Sequence, residues 1–145
     1  IIKARWNSDI TDSLSNGCRQ ALYDCGVKEE NIIELQVPGS YELVSATKTL
    51  LDSGKVDGVV PIGTLIKGET MHFEYICESV SSGLMQLNLD QKYSKQVVLF
   101  GVLTCLTENQ AIVRSGLIKG GHNHGSDWGY GVVEMLNYQD QVKSL

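Results

Sequence analysis

The sequence lacks the features that mark membrane-spanning, secreted and nucleic-acid-binding proteins. No apolar run approaches the roughly 18 residues of a membrane-spanning helix, and no signal peptide is recognisable. At a net charge of −5, the chain has no excess of basic side chains that would attract nucleic acid or anionic lipid. We therefore expect neither nucleic acid nor a membrane among its partners.

The sequence also lacks closely spaced pairs of cysteines. No CxxC motif and no zinc-type spacing occurs among the 4 cysteines, which are Cys18, Cys25, Cys77 and Cys105. Each lies in an apolar segment, where a free thiol behaves as a small hydrophobic group. The pattern predicts reduced cysteines in the core of a cytoplasmic protein.

The chain also has no linker, internal repeat or low-complexity stretch, and it contains only 2 prolines. Its 145 residues, of which 42% are apolar, are typical of one globular domain spanning residues 1–145. There is no initiator methionine, and the first residues belong to an apolar run. We therefore expect that an N-terminal segment is missing.

What the sequence does contain is an alternation of strand-like and helix-like segments. The predicted strands cover residues 1–5, 31–37, 57–63 and 96–103. The predicted helices cover residues 8–25, with Ser8 or Asp9 as the cap, and residues 41–53, 70–92, 108–115 and 127–142. Short connections between alternating strands and helices indicate a parallel sheet with helices on both faces.

The candidate site lies in the segments that follow the strands, because ligands of such folds bind beyond the carboxyl ends of the strands. These segments are residues 5–7, 38–42, 63–72 and 103–105. After the third strand, Gly63 and Gly68 flank a polar loop, Thr70 is a suitable helix cap, and His72 follows in the first turn. Free N–H groups at a helix start attract anions, so this segment predicts a phosphate pocket with a proton-transfer group at its rim.

Two further segments at this edge allow alternative interpretations. Trp6 is either an aromatic side chain at the edge of the core or a platform on which a flat heterocycle stacks. Its position at the ligand edge favours stacking. Ser40 and Glu42 either cap the second helix and complement its dipole, or bind the hydroxyl groups of a polyol.

A glycine-flanked loop near the end of the chain holds His122 and His124. Together with His72, these histidines could chelate a metal ion. No cysteine or carboxylate lies at a familiar ligand spacing, so a metal site is not expected. Asp127 either caps the last helix or orients a histidine through a hydrogen bond.

Five motifs follow one another along nearly the whole chain: ARWN, PGSYE, IGTLIKGETMHFEY, LFGVLT and GGHNHGSDWG. In their residues and their order, they resemble the lumazine synthase family (6,7-dimethyl-8-ribityllumazine synthase), and in particular its fungal branch. The resemblance implies a flavodoxin-like α/β/α sandwich of three layers, with a four-stranded parallel sheet of order 2-1-3-4. It also implies a transferase of riboflavin biosynthesis that condenses 5-amino-6-(D-ribitylamino)uracil with 3,4-dihydroxy-2-butanone 4-phosphate. Phosphate and water leave, and neither a cofactor nor a metal is needed.

The resemblance further implies a role for most of the candidate residues. The pyrimidine ring, stacked on the indole, and the ribityl chain would contact eight positions: Trp6, Asn7, Ser40, Tyr41, Glu42, Thr64, Leu65 and Ile66. Glu69 and Thr70 lie where backbone amides of the family hold the ketone phosphate. His72 matches the proposed general acid/base, and Asp127 matches the acid that partners the histidine.

Two other positions imply an oligomer. The resemblance implies that Phe100 closes the ring pocket and that Arg114 binds phosphate. In the family, the residues at both positions come from the neighbouring subunit. His124 lies where bacterial members have a lysine near the phosphate. Family members are pentamers or icosahedral shells of pentamers, and residues 114–124 form a longer stretch than in shell-forming bacterial members. We therefore expect a homopentamer with sites at its subunit interfaces, which also binds riboflavin on the indole of Trp6.

Two other classes of function stay open on the sequence. One is a non-catalytic protein that binds a flavin or ribityl ligand through Trp6 and Glu42. The joint presence of His72, Arg114 and Asp127 favours an enzyme, because storage of a ligand requires no proton transfer. The other is a metal-dependent hydrolase that uses the three histidines, which metal analysis of the purified protein would detect.

Overall fold

The computed structural model describes residues 1–145, which form six short strands and five α-helices. The strands are β1 (Ile2–Ala4), β2 (Leu35–Val37), β3 (Gly58–Val59), β4 (Pro61–Ile66), β5 (Val97–Val98) and β6 (Gly101–Cys105). The helices are α1 (Ser8–Asp24), α2 (Leu43–Asp52), α3 (His72–Leu89), α4 (Glu108–Arg114) and α5 (His124–Lys143). The predicted alternation of strands and helices is confirmed.

The strands form a parallel sheet whose main part has the order β2-β1-β4-β6. A second parallel pair, β3 and β5, continues this sheet at one end. Because β3 leads directly into β4 and β5 into β6, the chain crosses the sheet in four passes of order 2-1-3-4. The predicted flavodoxin-like architecture is therefore confirmed.

Two hydrophobic clusters cover the two faces of this sheet, and successive strand residues contribute to opposite clusters. Ile1 and Val60 pack with α1, α4 and α5 on one face. Ile2 and Val59 pack with α2 and α3 on the other face. Side chains alternate along a strand, so a continuous apolar run is buried on both sides only in the middle of three layers. Residues 59–62 are apolar without interruption, as burial on both faces requires.

The ends of several elements differ from the predictions. Only residues 35–37 of the predicted second strand pair in the sheet, because β1, the one neighbour of β2, is itself three residues long. Helix α1 starts at Ser8, yet neither Ser8 nor Asp9 caps it: the cap position is Asn7, which makes no side-chain capping bond. The second helical segment opens as a 3₁₀ turn at residues 40–42 before α2 begins.

The last two predicted helix starts also shift. Helix α3 begins at His72 rather than at Thr70, although the Thr70 hydroxyl still accepts a hydrogen bond from the His72 N–H at 3.3 Å. Helix α5 begins three residues before Asp127, because the Asn123 side chain accepts from the Gly125 N–H at 2.9 Å. The prediction that Asp127 caps this helix is therefore wrong.

The cysteines are all unpaired, and two of them are not core residues. Cys18 and Cys105 are buried, whereas Cys77 is half-buried and Cys25 is exposed at the end of α1. Burial raises the pKa of the Cys18 thiol to about 11, so this group stays protonated at neutral pH. The prediction of a core position is therefore wrong for Cys25 and for Cys77. None of the helices is long and apolar enough to cross a membrane.

Candidate functional site

A cleft of about 550 Å³ opens at the carboxyl ends of β1, β2 and β4, as the strand order predicts. The segments after the first two strands contribute Trp6, Asn7, Ser40, Tyr41 and Glu42. The end of the third predicted strand and the helix after it contribute Thr64, Leu65, Ile66 and His72. Nine of the sequence-predicted residues therefore meet in one place.

Trp6 forms the most exposed wall of the cleft. Its side chain is 73% exposed, although an indole is the largest apolar side chain available. The ring lies against Gly39, where an added Cβ would be 3.3 Å from the indole Cδ1 atom. An aromatic of this size without burial does not fit a core position, so the alternative interpretation of Trp6 as an edge-of-core residue is wrong.

Ser40 and Glu42 provide unpaired oxygen atoms in the cleft. Ser40 is 5% exposed, and its hydroxyl has no hydrogen-bond partner. One carboxylate oxygen of Glu42 accepts the Gly39 N–H at 2.9 Å, and the other has no partner within the chain. Buried polar atoms normally find partners, so groups left open in a cleft indicate contacts with a ligand.

Gly63 allows the close approach of Ser40 to the sheet. A Cβ at position 63 would lie 2.5 Å from the Ser40 hydroxyl oxygen, which is shorter than any real contact of this kind. Packing against Ser40 therefore requires a glycine at position 63. Beside it, the buried hydroxyl of Thr64 also lacks a partner.

The loop before His72 presents free backbone donors. The N–H groups of residues 68–71 donate to no acceptor within the chain. Lys67 anchors the start of the loop, since its N–H donates to the Cys105 carbonyl at 2.9 Å and its ammonium group pairs with Glu74. This hydrogen-bonded pair lowers the pKa of the Glu74 carboxyl from its ordinary value. A fixed loop with four free N–H groups at a helix start is suited to binding a phosphate.

Two sequence-predicted phosphate ligands, Glu69 and Thr70, lie in this loop and are exposed. Their side chains do not line the cleft, so their contribution would come from the backbone N–H groups. The Thr70 hydroxyl is occupied by the His72 N–H. His72 itself lines the cleft at the first position of α3.

Four further predicted site residues also lie outside the cleft: Phe100, Arg114, His124 and Asp127. Phe100 is 42% exposed beside Met85, at a separate shallow hollow on the α3 side of the sheet. The exposed Arg114 donates only to the Gln110 carbonyl, at 3.3 Å. One chain therefore does not assemble the whole set of predicted residues.

Asp127 interacts with two histidines, and neither is His72. His122 Nε2 lies 2.8 Å from Asp127 Oδ2, and His124 Nδ1 lies 3.2 Å from the same oxygen. Within one chain, Asp127 therefore bonds a histidine, as one interpretation of the sequence proposed, whereas its role as the partner of His72 stays a prediction. Within one chain, His122 and His124 do not meet His72, which lines the cleft.

Comparison with known proteins identifies the family of this site. Residues 1–140 match the family model described as 6,7-dimethyl-8-ribityllumazine synthase. The chain belongs to the lumazine synthase family. A 6,7-dimethyl-8-ribityllumazine synthase of Schizosaccharomyces pombe is 47% identical over 136 residues, covering 93% of this chain and 83% of the relative.

Other members of the lumazine synthase family are similar over comparable lengths. The Pyricularia oryzae enzyme of the same name is 43% identical, with 93% of this chain and 84% of the relative aligned. The enzyme of the bacterium Flavobacterium psychrophilum is 41% identical, with 98% of this chain and 72% of the relative aligned. The family inferred from the five sequence motifs is therefore confirmed.

Sequence reasoning missed two residues of the lumazine synthase cleft, Gly39 and Ile76. Ile76 lies four positions after His72 and therefore on the same side of the helix. Gly39 lies directly before Ser40, in the motif that supplied three other cleft residues. Helical spacing was the signal that could have identified Ile76, and no local signal identified Gly39.

Proposed function

We propose that this chain is a 6,7-dimethyl-8-ribityllumazine synthase. It condenses 5-amino-6-(D-ribitylamino)uracil with 3,4-dihydroxy-2-butanone 4-phosphate. The observation that carries the proposal is the cleft, where an exposed indole, an open carboxylate oxygen and a histidine at a helix start meet in a chain of this family. These three groups match a heterocycle, a polyol and a proton-transfer step.

The reaction depends mainly on the positioning of the two substrates and on proton transfer. The amine of the uracil attacks the ketone, and loss of water gives an imine. β-Elimination then expels phosphate, and ring closure releases a second water. Each step moves protons near neutral pH, which an imidazole supplies, and holding two reactive partners together contributes much of the acceleration.

The heterocycle and its ribityl chain bind at the first two strand ends. The exposed indole of Trp6 offers a face on which the pyrimidine ring stacks. The open oxygen of Glu42 and the buried hydroxyl of Ser40 have no partners of their own, so both are available to the ribityl hydroxyl groups. Asn7, Tyr41, Thr64, Leu65 and Ile66 complete this subsite.

The ketone phosphate binds at the loop before α3. The free N–H groups of Glu69 and Thr70 donate to the phosphate oxygens, and the positive end of the helix dipole favours the charge. His72, in the first turn, is then close enough to the reacting centre to act as the general acid/base. The carboxylate of Glu69 is exposed, so it can point into solvent and away from the anion.

The rest of the site comes from a neighbouring subunit. Phe100 closes the ring pocket, and Arg114 and His124 bind the phosphate. Asp127 orients the general acid/base, His72, of the site to which it is contributed. All four lie outside the cleft of their own chain, and Arg114 has no ion-pair partner in it. Their exposure supports a homopentamer with a site at each interface.

Riboflavin is a further ligand of the same cleft. It carries the same ribityl chain as the uracil substrate, and its three-ring system offers a larger surface for stacking on Trp6. We also propose that the whole chain is one catalytic domain that works in the cytoplasm, since all its cysteines are unpaired.

The deciding experiment mixes the purified protein with both substrates and follows the fluorescence of the lumazine product. Lumazine should appear with saturable kinetics and with release of one phosphate per product. Binding of the uracil substrate or riboflavin without turnover would contradict the proposal and would support a storage protein instead.

A further inference from the structure

The ion pair between Lys67 and Glu74 spans the loop of residues 68–71, whose backbone N–H groups are free. Lys67 follows β4 directly, and Glu74 lies in the first turn of α3. We propose that this pair sets the affinity of the phosphate subsite, because it holds both ends of the loop and cancels a carboxylate charge beside the anion. Lys67 is then a positioning residue for the ketone phosphate, a role that rests on the proposed function.

The carboxylate of Glu74 is fixed at the start of α3. Its Oε1 atom accepts a hydrogen bond from the Lys67 ammonium group, and its Oε2 atom is buried without a partner. The hydrogen bond from Lys67 lowers the pKa of this carboxyl from its ordinary value, so the group is charged at neutral pH. Glu69 is exposed and can turn into solvent, whereas Glu74 has no such freedom. A negative charge therefore stays near the loop to which the phosphate binds.

Lys67 is the only lysine or arginine among residues 62–76, which cover the end of β4, the loop and the first turn of α3. Without its charge, the carboxylates of Glu69 and Glu74 would leave this segment negative, and it would repel a phosphate. With the pair intact, the charge of Glu74 is offset at close range. The free N–H groups and the helix dipole then determine the field that the anion meets.

The pair also restrains the loop. The backbone of Lys67 is attached to the sheet, since its N–H donates to the Cys105 carbonyl on β6 at 2.9 Å. Its side chain extends this attachment across the loop to α3. The N–H groups of residues 68–71 make no hydrogen bond within the chain, so the bridge limits the arrangements that they can adopt. Donors that are already arranged lose less entropy when an anion binds.

A role in binding can be separated from a role in stability. The side chains of Lys67 and Glu74 are 47% and 33% exposed. An ion pair that is open to water contributes little to the free energy of unfolding, because the solvent screens it. Its removal should therefore change the affinity for the ketone phosphate much more than the stability of the chain.

The test measures the KM of both substrates in the lumazine assay, and calorimetry measures binding of the ketone phosphate alone. Lys67→Met keeps the aliphatic stem but leaves Glu74 without a cation. The KM for the butanone phosphate should rise by about tenfold or more, because an uncompensated charge then faces the anion. The KM for the uracil substrate should stay nearly unchanged, since its subsite lies at the first two strand ends. Lys67→Arg keeps the charge and should restore tight binding.

Combining Lys67→Met with Glu74→Gln separates the charge from the attachment. The double variant has neither charge, so its KM for the butanone phosphate should be only about threefold above that of the unmodified protein, through the lost attachment. Glu74→Gln alone still accepts from Lys67 and should not raise this KM. Lys143→Met is the matched control: it breaks the exposed ion pair with Asp140 at the end of α5, outside the cleft, and should change neither KM.

An unchanged KM for the butanone phosphate in Lys67→Met, an equal rise of both KM values, or a double variant as weak as Lys67→Met would each overturn the proposal. Circular dichroism and light scattering check the fold and the assembly of every variant. Normal lumazine formation by Lys67→Met would overturn this role alone. Binding of the ketone phosphate that depends on Lys67, in a protein that forms no lumazine, would overturn only the proposed function.

Discussion

The side-chain amide of Asn7 donates a hydrogen bond to the backbone carbonyl of Thr64, at a distance of 2.9 Å. The bond joins the segment between β1 and α1 to the middle of β4, in the wall of the cleft. Asn7 is also the only residue other than glycine with a positive φ angle, 57°. One side chain therefore ties the segment after β1 to β4 while its backbone turns the chain into α1.

Replacing Asn7 separates these two roles. Asn7→Gly keeps the left-handed backbone but loses the hydrogen bond, which should lower the free energy of unfolding by about 1 kcal/mol. Asn7→Ala should lower it further than Asn7→Gly, because alanine has the Cβ that strains the left-handed region by about 1–2 kcal/mol and lacks the polar side chain that makes asparagine tolerated there. Urea denaturation of both variants measures the difference. Equal stability of Asn7→Gly and the unmodified protein would show that the bond to Thr64 contributes nothing.

His72→Ala should slow lumazine formation by about 100-fold, at the lower end of general acid/base contributions, and leave measurable catalysis. The reason is that positioning of the two substrates in the cleft stays intact. Steady-state kinetics give the loss, and riboflavin titration checks that the cleft still binds its ligand. Complete inactivity in a folded variant with normal ligand binding would contradict this division of roles.

Arg114→Ala should raise the KM for the butanone phosphate by about 10- to 100-fold, because a charge-assisted hydrogen bond contributes about 1.5–3 kcal/mol. The KM for the uracil substrate should change little. Lys119→Ala is the matched control, since it removes another cation from the next loop that has no ion-pair partner. An equal rise of both KM values in Arg114→Ala would point to a structural role instead.

Trp6→Ala should abolish the quenching of riboflavin fluorescence and weaken riboflavin binding by about 1–3 kcal/mol, the range for stacking of an aromatic side chain on a base. Trp6→Phe should retain part of both effects. Tyr138→Ala removes another exposed aromatic side chain, from a position outside the cleft, and should leave the titration unchanged. Identical curves for Trp6→Ala and the unmodified protein would show that the indole does not contact the flavin.

The assembly should be a cyclic pentamer that does not close into a larger shell. Residues 115–123, between α4 and α5, form a loop that the Ser115–Asn123 bridge closes, and this loop should alter the bend between the two helices. Light scattering measures the number of chains per particle. Phe100→Glu should weaken the assembly and the activity together, because it puts a charge on an exposed apolar side chain. An active monomer, or a particle of about sixty chains, would refute the prediction.

Much of the fold was predictable because its signals are local. The spacing of Ile10, Leu14, Cys18 and Leu22 marks one face of α1, and all four are buried. Gly26 and Gly54 have φ angles of 85° and 65°, which explains why the first two helices end before them. The length of β2 was not predictable, because it depends on how many residues of β1 are available to pair with it.

The candidate site was predictable to the extent that it follows strand ends. Nine predicted residues meet in one cleft, because parallel strands in this order bring their carboxyl ends to one edge. Ser40 was open to interpretation as a cap. Its unpaired, buried hydroxyl could be recognised only once Gly63 was seen to lie against it.

By itself, the sequence determined the strands, the helices, the two-sided burial of the sheet and the edge at which the cleft forms. These features arise from periodicity and capping within a few neighbouring residues. Only the tertiary structure decided which histidines Asp127 contacts within its own chain, and that His72 lies apart from them there. The contacts of Asp127 depend on Asn123. The side-chain amide of Asn123 donates a hydrogen bond to the Ser13 carbonyl, 110 positions earlier, and so fixes the loop before α5 against α1. Contacts across such a separation form when the layers pack, and no local pattern encodes them.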